Sequence, residues 1–143
     1  MITGFRHVCV TSGDLGRSVR FYKKLFGLKP TKTLTLEGEY LEKVLGGKGR
    51  KLTYVKMRAP GQKKGSPPIF ELHHWHGRKA RFGRWGGHVA FTISGLDREY
   101  KRLRRAGVKF VSGPVTDLAG RTRLCFCCDP DGNLIELMED LRP

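Results

Sequence analysis

The sequence is poor in acidic residues and has no long apolar run. Among its 143 residues, 13 are Asp or Glu against 28 Lys or Arg, which gives a formal net charge of +15 at pH 7. No stretch approaches the roughly 20 apolar residues that a membrane-spanning helix needs, so no membrane segment is predicted. The first ten residues also lack the charged and apolar regions of a signal peptide, and we expect a cytoplasmic protein.

Cysteines are few, and their spacing does not suit disulfides. The four are Cys9, Cys125, Cys127 and Cys128. Three of them lie in one predicted strand, where successive side chains point to opposite faces, and no CxxC pair offers a zinc site. Free thiols are therefore predicted, with Cys125 and Cys127 on one face of the strand and Cys128 on the other.

The excess of positive charge favours an anionic partner, although not nucleic acid in particular. The basic residues are scattered over predicted helices and loops, and no zinc finger, helix-turn-helix or RNP-like pattern occurs. We therefore expect no specific nucleic-acid partner. Two interpretations of the charge stay open: an ordinary solvated surface, or a region that attracts a small anion.

The chain contains an internal repeat. HVCVTSGDLGRSVRFYKKLFG, which starts at His7, aligns without gaps with HVAFTISGLDREYKRLRRAGV, which starts at His88. Both segments predict a strand, a turn and an amphipathic helix. The first helix is predicted to be capped by Asp14 and ended by Gly27, and the second to be capped by Ser94.

The ends of the two halves also match. IFEL at 69–72 corresponds to LIEL at 134–137, which follows the turn sequence DPDGN. Each half is thus predicted to contain a strand, a helix and about three further strands. Halves this small need each other to bury a core, so we predict one α+β domain over 1–143, with module 1 at about 1–76, a basic linker at 77–87 and module 2 at about 88–143.

Strand alternation places one His and one Glu at equivalent positions in each half. His7 and His88 point away from the apolar face of their strands, and Glu71 and Glu136 are each flanked by apolar residues that point the other way. A buried ionised carboxylate must be paired or bound to metal. A single His or Glu on a strand is usually hydrogen-bonded or solvated, but two imidazoles and two carboxylates in a repeat suit a divalent first-row metal.

The sequence resembles the vicinal oxygen chelate superfamily over nearly its whole length. The resemblance rests on FRHVCVTSGDLGRSVRFYKKLFGLK, IFEL, GGHVAF and DPDGNLIELME. The superfamily includes glyoxalase I, methylmalonyl-CoA epimerase, extradiol dioxygenases, and fosfomycin- and bleomycin-resistance proteins. The resemblance implies two paired βαβββ modules that form a curled mixed sheet around a metal ion, and we expect a homodimer. It implies His7, Glu71, His88 and Glu136 as ligands of nickel, cobalt or zinc, with iron or manganese as alternatives.

Within the superfamily, Glu71 at the second ligand position is similar to glyoxalase I, because dioxygenases and fosfomycin enzymes mostly use only the other three ligands. The resemblance therefore implies a lyase or isomerase in which Glu136 or Glu71 moves a proton next to a carbonyl while the metal stabilises the enediolate. A dioxygenase, a fosfomycin-type transferase and a non-catalytic drug-binding protein are the alternatives. Thr11 and Trp75 stand where bacterial glyoxalases have the Arg and Asn that serve glutathione, so the resemblance does not imply that cosubstrate.

Four residues are candidate contacts for a small anionic or carbonyl-bearing substrate. His73 shares the strand face of Glu71, and Thr11 and Thr92 lie on the corresponding faces of the two first strands. Arg84 lies in the basic linker, where it would either attract an anion or be plain solvated charge.

Overall fold

A computed structural model of the chain describes residues 6–39, 42, 49–64, 66, 68–77, 88–117 and 120–141. The chain divides into two compact units, Met1–Arg81 and Phe82–Pro143. Each unit contains an α-helix that packs on a mixed sheet, which confirms the α+β class. The division falls inside the predicted linker, while the assembly of the modules into one domain stays a prediction. No described helix has the length and apolar character needed to cross a membrane.

Unit 1 follows the predicted order of a strand, a helix and three further strands. Its sheet has the order β1-β4-β3-β2, in which β1 runs parallel to β4 and the other neighbours are antiparallel. The elements are β1 His7–Thr11, α1 Leu15–Phe26, β2 Lys29–Glu37, β3 Lys51–Arg58 and β4 Ile69–Trp75.

Unit 2 repeats this arrangement with one additional short strand. Its sheet has the order β5-β9-β8-β6, with β7 also paired to β8, and β5 runs parallel to β9. The elements are β5 His88–Thr92, α2 Leu96–Arg105, β6 Lys109–Phe110, β7 Val115–Thr116, β8 Thr122–Cys128 and β9 Leu134–Asp140.

The two helices begin in different ways. The carboxylate of Asp14 accepts a hydrogen bond from the backbone N–H of Arg17 at 2.9 Å, so the predicted cap of α1 is confirmed. The predicted cap of α2 was wrong, because the residue before the helix is Gly95, with φ 75°, and it makes no side-chain cap. Glu139 of β9 takes over this role by accepting hydrogen bonds from the backbone N–H groups of Gly95 and Leu96.

One face of each sheet packs against the helix of its own unit. In unit 1 the ring of Tyr22 on α1 is fully buried and lies 4.8 Å from the ring of Phe70. In unit 2 Leu96 of α2 is buried together with Ile135 and Leu137 of β9. Because strand residues alternate between faces, the polar residues between these apolar ones lie on the face that the helix does not cover.

The cysteines match the prediction. All four are free, and Cys125 and Cys127 are fully buried on the same face of β8, whereas Cys128 is half-buried. Cys125 and Cys127 serve as small apolar groups in the core of unit 2.

Candidate active site

In unit 1, His7 and Glu71 lie on the sheet face that α1 does not cover. The parallel pairing of β1 with β4 sets His7 opposite Ile69 and Cys9 opposite Glu71. Residues that lie opposite each other in register share a face, as do alternate residues along a strand. The imidazole of His7 therefore belongs to the same face as the Glu71 carboxylate, as the sequence predicts.

Unit 2 has the same register. The parallel pairing of β5 with β9 sets His88 opposite Leu134 and Ala90 opposite Glu136. A slip of one residue would move every side chain to the other face, so the shared register makes the two His–Glu pairs structurally equivalent.

Glu71 is buried, with a hydrogen-bond or ion-pair partner at each carboxylate oxygen. Its Oε2 lies 2.9 Å from Nε2 of His73, and its Oε1 lies 3.4 Å from Nζ of Lys56, the residue directly opposite it on β3. Burial acts to raise the pKa of Glu71, but the hydrogen bond from His73 and the nearby His7 and Lys56 outweigh it and leave that pKa lowered. The carboxylate is therefore ionised at neutral pH.

His73 connects Glu71 with two residues of β1. Burial acts to lower the pKa of His73, but hydrogen bonding with the Cys9 thiol and with Glu71 outweighs it, and the pKa is raised. Thr11 lies directly opposite His73 in the β1–β4 register. Two of the predicted substrate contacts, Thr11 and His73, are thus neighbours on the face that carries Glu71.

In unit 2, Glu136 has a different set of neighbours. Its Oε2 lies 3.0 Å from Nε2 of His88, and its side chain is 13% exposed against 44% for His88. Phe126 lies directly opposite Glu136 on β8, and its ring packs edge-on against the His88 ring at 5.3 Å. Thr92, a third predicted substrate contact, lies opposite Met138, two residues beyond Glu136.

Comparison of the two carboxylates shows an asymmetry within the repeat. At the position opposite the glutamate, unit 1 has Lys56 and unit 2 has Phe126. Two residues further along the strand, unit 1 has His73, whereas unit 2 has an apolar methionine. Glu71 is thus held by two charged or polar partners, while in the described part of the chain the carboxylate of Glu136 has one, His88.

The residue that the sequence prediction missed is Lys56. Alternation along β3 would have placed it on one of two faces, but its contact with Glu71 depends on the pairing of β3 with β4, which no local pattern indicates. The fourth predicted substrate contact, Arg84, lies outside the described residues.

The donor atoms on these faces suit a divalent metal. Each unit supplies one exposed imidazole and one carboxylate, and mixed nitrogen and oxygen donors of this kind bind first-row metals such as zinc, nickel and cobalt. Among the described residues, no group of three or more His, Cys, Asp or Glu side chains lies together as a metal site would require. The four-ligand set consequently stays a prediction.

The chain consists of two repeated modules. Each has a strand, a helix and further strands in a mixed sheet, and each carries a His–Glu pair in the same register. This arrangement defines a protein of the vicinal oxygen chelate type. The chain belongs to the Glyoxalase/Bleomycin resistance protein/Dioxygenase superfamily, whose family model matches residues 4–137.

Known proteins with related sequences and structures agree with this assignment. The lactoylglutathione lyase of Escherichia coli O157:H7 is 30% identical over 137 residues, which cover 94% of this chain and 90% of that protein. The crystal structure of a glyoxalase family protein from Bacillus cereus has a TM-score of 0.79 at 23% identity and covers 99% of this chain and 97% of its own. A fosfomycin resistance protein from Listeria monocytogenes has a TM-score of 0.69 at 18% identity, covering 99% of this chain and 96% of its own, so it shares the fold.

Proposed function

We propose that this protein is a metal-dependent lyase or isomerase similar to glyoxalase I, which moves a proton next to a carbonyl group of a small substrate. The observation that carries the proposal is the His–Glu pair that recurs in the same register in both units with different partners around the two carboxylates. The relative named lactoylglutathione lyase, which matches nearly the whole chain, supports this class of reaction.

The residues proposed to hold the metal are His7, Glu71, His88 and Glu136. Nickel, cobalt or zinc is favoured by the donor types, with iron or manganese as alternatives. When bound, the ion would supply a Lewis acid that stabilises negative charge on the substrate oxygens.

The proposed base is Glu136. Its carboxylate is only part-buried and has His88 as its one hydrogen-bond partner in the described part of the chain, so it can exchange that partner for a substrate proton. Glu71 has a different role, since Lys56 and His73 hold both of its oxygens and keep it ionised. Glu71 would then supply a fixed negative charge, while Glu136 takes the proton and returns it.

The proposal is tested by elemental analysis of the purified protein, followed by assays with thiol adducts of 2-oxoaldehydes. Thioester formation is measured by ultraviolet absorbance, and glutathione is compared with other thiols because the sequence lacks the Arg and Asn that serve glutathione in bacterial glyoxalases. Glu136→Gln should weaken metal binding modestly and lose turnover by about 10²–10⁴-fold, which is typical for removal of a general base. His7→Ala should lose metal, and excess divalent ion should restore part of its activity.

The two carboxylates are distinguished by comparing Glu136→Gln with Glu71→Gln. An active Glu136→Gln protein with full metal content would make Glu71 the base. If both variants turned the substrate over at the wild-type rate, the proton-transfer mechanism would be wrong.

A second candidate function is that of a fosfomycin-type transferase or a dioxygenase with three ligands, His7, His88 and Glu136. The observation in its favour is that both oxygens of Glu71 are already engaged by Lys56 and His73. In this case Glu71→Gln would bind metal with the wild-type stoichiometry, whereas a four-ligand site would lose affinity. Oxygen-sensitive Fe(II) in the purified protein would favour the dioxygenase.

Two expectations accompany the proposal. We expect a homodimer, which analytical ultracentrifugation of the purified protein would detect. We also expect a cytoplasmic location, which fractionation of the source cells would test.

A further inference from the structure

A cavity of about 300 Å³ lies at one end of the sheet in unit 1, and four of its nine described lining residues are basic. The cations come from three segments: Lys32 on β2, Lys56 and Arg58 on β3, and Lys64 in the connection from β3 to β4. Thr31, Gln62 and Ser66 add uncharged polar groups. No acidic residue is among the described residues that line the cavity.

The pairing of β2 with β3 brings like charges together at this end of the sheet. Lys32 lies directly opposite Lys56, and Lys29 lies directly opposite Arg58. Like charges at such positions destabilise an antiparallel pair. Lys56 is offset by Glu71, but among the described residues no carboxylate lies within ion-pair distance of Lys32 or Arg58. A bound anion would remove this repulsion.

The connection that borders the cavity is held in place by Gln62. Its Nε2 donates to the backbone oxygens of Ser66 and Pro68, both at 2.7 Å, and its Oε1 accepts from the backbone N–H of Ala59 at 3.2 Å. Nη1 of Arg58 donates to the Gln62 backbone oxygen at 2.7 Å. Because these bonds order the rim in advance, a ligand would lose little binding energy to ordering it.

A β-bulge shapes the other side of the cavity. The register of β2 shifts between Pro30 and Lys32, so that Thr31 is the extra residue, and its hydroxyl donates to the backbone oxygen of Lys56 at 3.3 Å. Bulges of this kind re-aim side chains and are frequent beside binding sites. Here the bulge directs Lys32 to the face that carries Lys56 and Glu71.

We infer that this cavity binds the carboxylate or phosphate group of a small molecule. Its volume is at the lower end of the range for small-molecule sites, so it suits an anionic group with a few further atoms. Lys56 lines the cavity and also contacts Glu71, which places the bound anion next to the candidate active-site face. The identification of the anion as part of the substrate rests on the proposed function, whereas the existence of the anion site does not depend on it.

The site is tested by isothermal titration calorimetry of the full chain with inorganic phosphate and with succinate. The variant Lys32→Gln/Lys64→Gln removes two exposed cations from the lining, and Lys23→Gln/Lys24→Gln removes two exposed cations from α1 of the same unit as a matched control. We expect saturable binding to the wild type, and binding weaker by about tenfold or more in the cavity variant because two charge-assisted contacts are lost. The control should differ from the wild type by less than about twofold, since its charges lie on the helix that packs against the opposite face of the same sheet, where bulk salt screens them.

Equal weakening in both double variants would show general attraction to a basic protein and overturn the inference, as would the absence of saturable heat with either anion. Weakening by the cavity variant for one anion alone supports the site and identifies which anion it takes. Thermal unfolding of each variant confirms that it is folded. The metal and turnover assays of the proposed function are separate measurements, so either proposal can fail without the other.

Discussion

The ion pair between Lys56 and Glu71 gives a quantitative prediction about what keeps a carboxylate buried in the sheet of unit 1. Lys56→Met removes the ammonium and keeps most of the apolar stem, and Glu71→Gln removes the charge and keeps the shape. We expect these two changes to be coupled in a double-mutant cycle, because each removes the partner of the other.

The expected coupling follows from distance and burial together. At 3.4 Å, two unit charges attract by about 5 kcal/mol at an effective dielectric constant of about 20, before desolvation is counted. Desolvation offsets most of this for Glu71, whose side chain is 6% exposed, while Lys56 stays 31% exposed. We therefore expect a net coupling of about 1–2 kcal/mol, in the range of hydrogen bonds to charged groups.

A second cross-strand pair in the same sheet provides the control. Lys51 and Glu37 lie closer, at 2.9 Å, but their side chains are 43% and 60% exposed. Exposed pairs contribute little, so the cycle of Lys51→Met and Glu37→Gln should give a coupling below about 0.5 kcal/mol. Both cycles are measured by urea unfolding at neutral pH with a chelator present. A coupling for Lys56 and Glu71 that does not exceed the control would refute the reasoning that burial outweighs distance here.

Three further predictions concern capping and buried residues. Hydrogen bonds from the first N–H groups of α2 lower the pKa of Glu139, so its contribution to stability is present above the ordinary glutamate pKa of about 4.3 and is lost as the pH falls through the lowered value. Glu139→Gln should therefore make Tm fall less as the pH is lowered below about 4.3. If Tm of the variant fell as steeply with pH as Tm of the wild type, the capping role would be contradicted. Leu72→Ala and Leu137→Ala, at two fully buried positions, should each lower the free energy of unfolding by about 2–5 kcal/mol in urea, and smaller losses would mean that the cores collapse around the cavities. Burial raises the pKa of Cys125 to about 11 and of Cys127 to about 12, so a thiol reagent should label both only after denaturation, when all four thiols react.

The features predicted correctly from the sequence are those that depend on neighbouring residues. Asp14 and Gly27 determine the ends of α1 through contacts within one turn, and both were identifiable by type and position. The faces that carry His7 and Glu71 followed from alternation along single strands. The internal repeat then extended the same prediction to unit 2, where the register is equivalent.

The features missed by the sequence prediction depend on pairing between distant segments. Ser94 was the expected cap of α2, but Glu139, 44 residues from Gly95, provides it through the β5–β9 arrangement. Lys56 meets Glu71 because β3 pairs with β4 in one particular register. The basic cavity depends in the same way on the pairing of β2 with β3 and on its bulge, which no periodicity reveals.

An internal repeat gives its two carboxylates the same backbone position, yet a proton-transfer reaction needs one of them to behave differently from the other. In this chain the difference comes from the residues around each glutamate and not from the glutamates themselves. Lys56 opposite Glu71 and His73 beside it stabilise the ionised form and occupy both oxygens, so that accepting a proton would cost two favourable interactions. Phe126 opposite Glu136 offers no such interaction, which leaves the His88 hydrogen bond, among the described residues, as the one to exchange. In the proposed mechanism, two differences between equivalent positions, Lys56 against Phe126 and His73 against Met138, divide the roles of a fixed charge and a proton acceptor between the two glutamates.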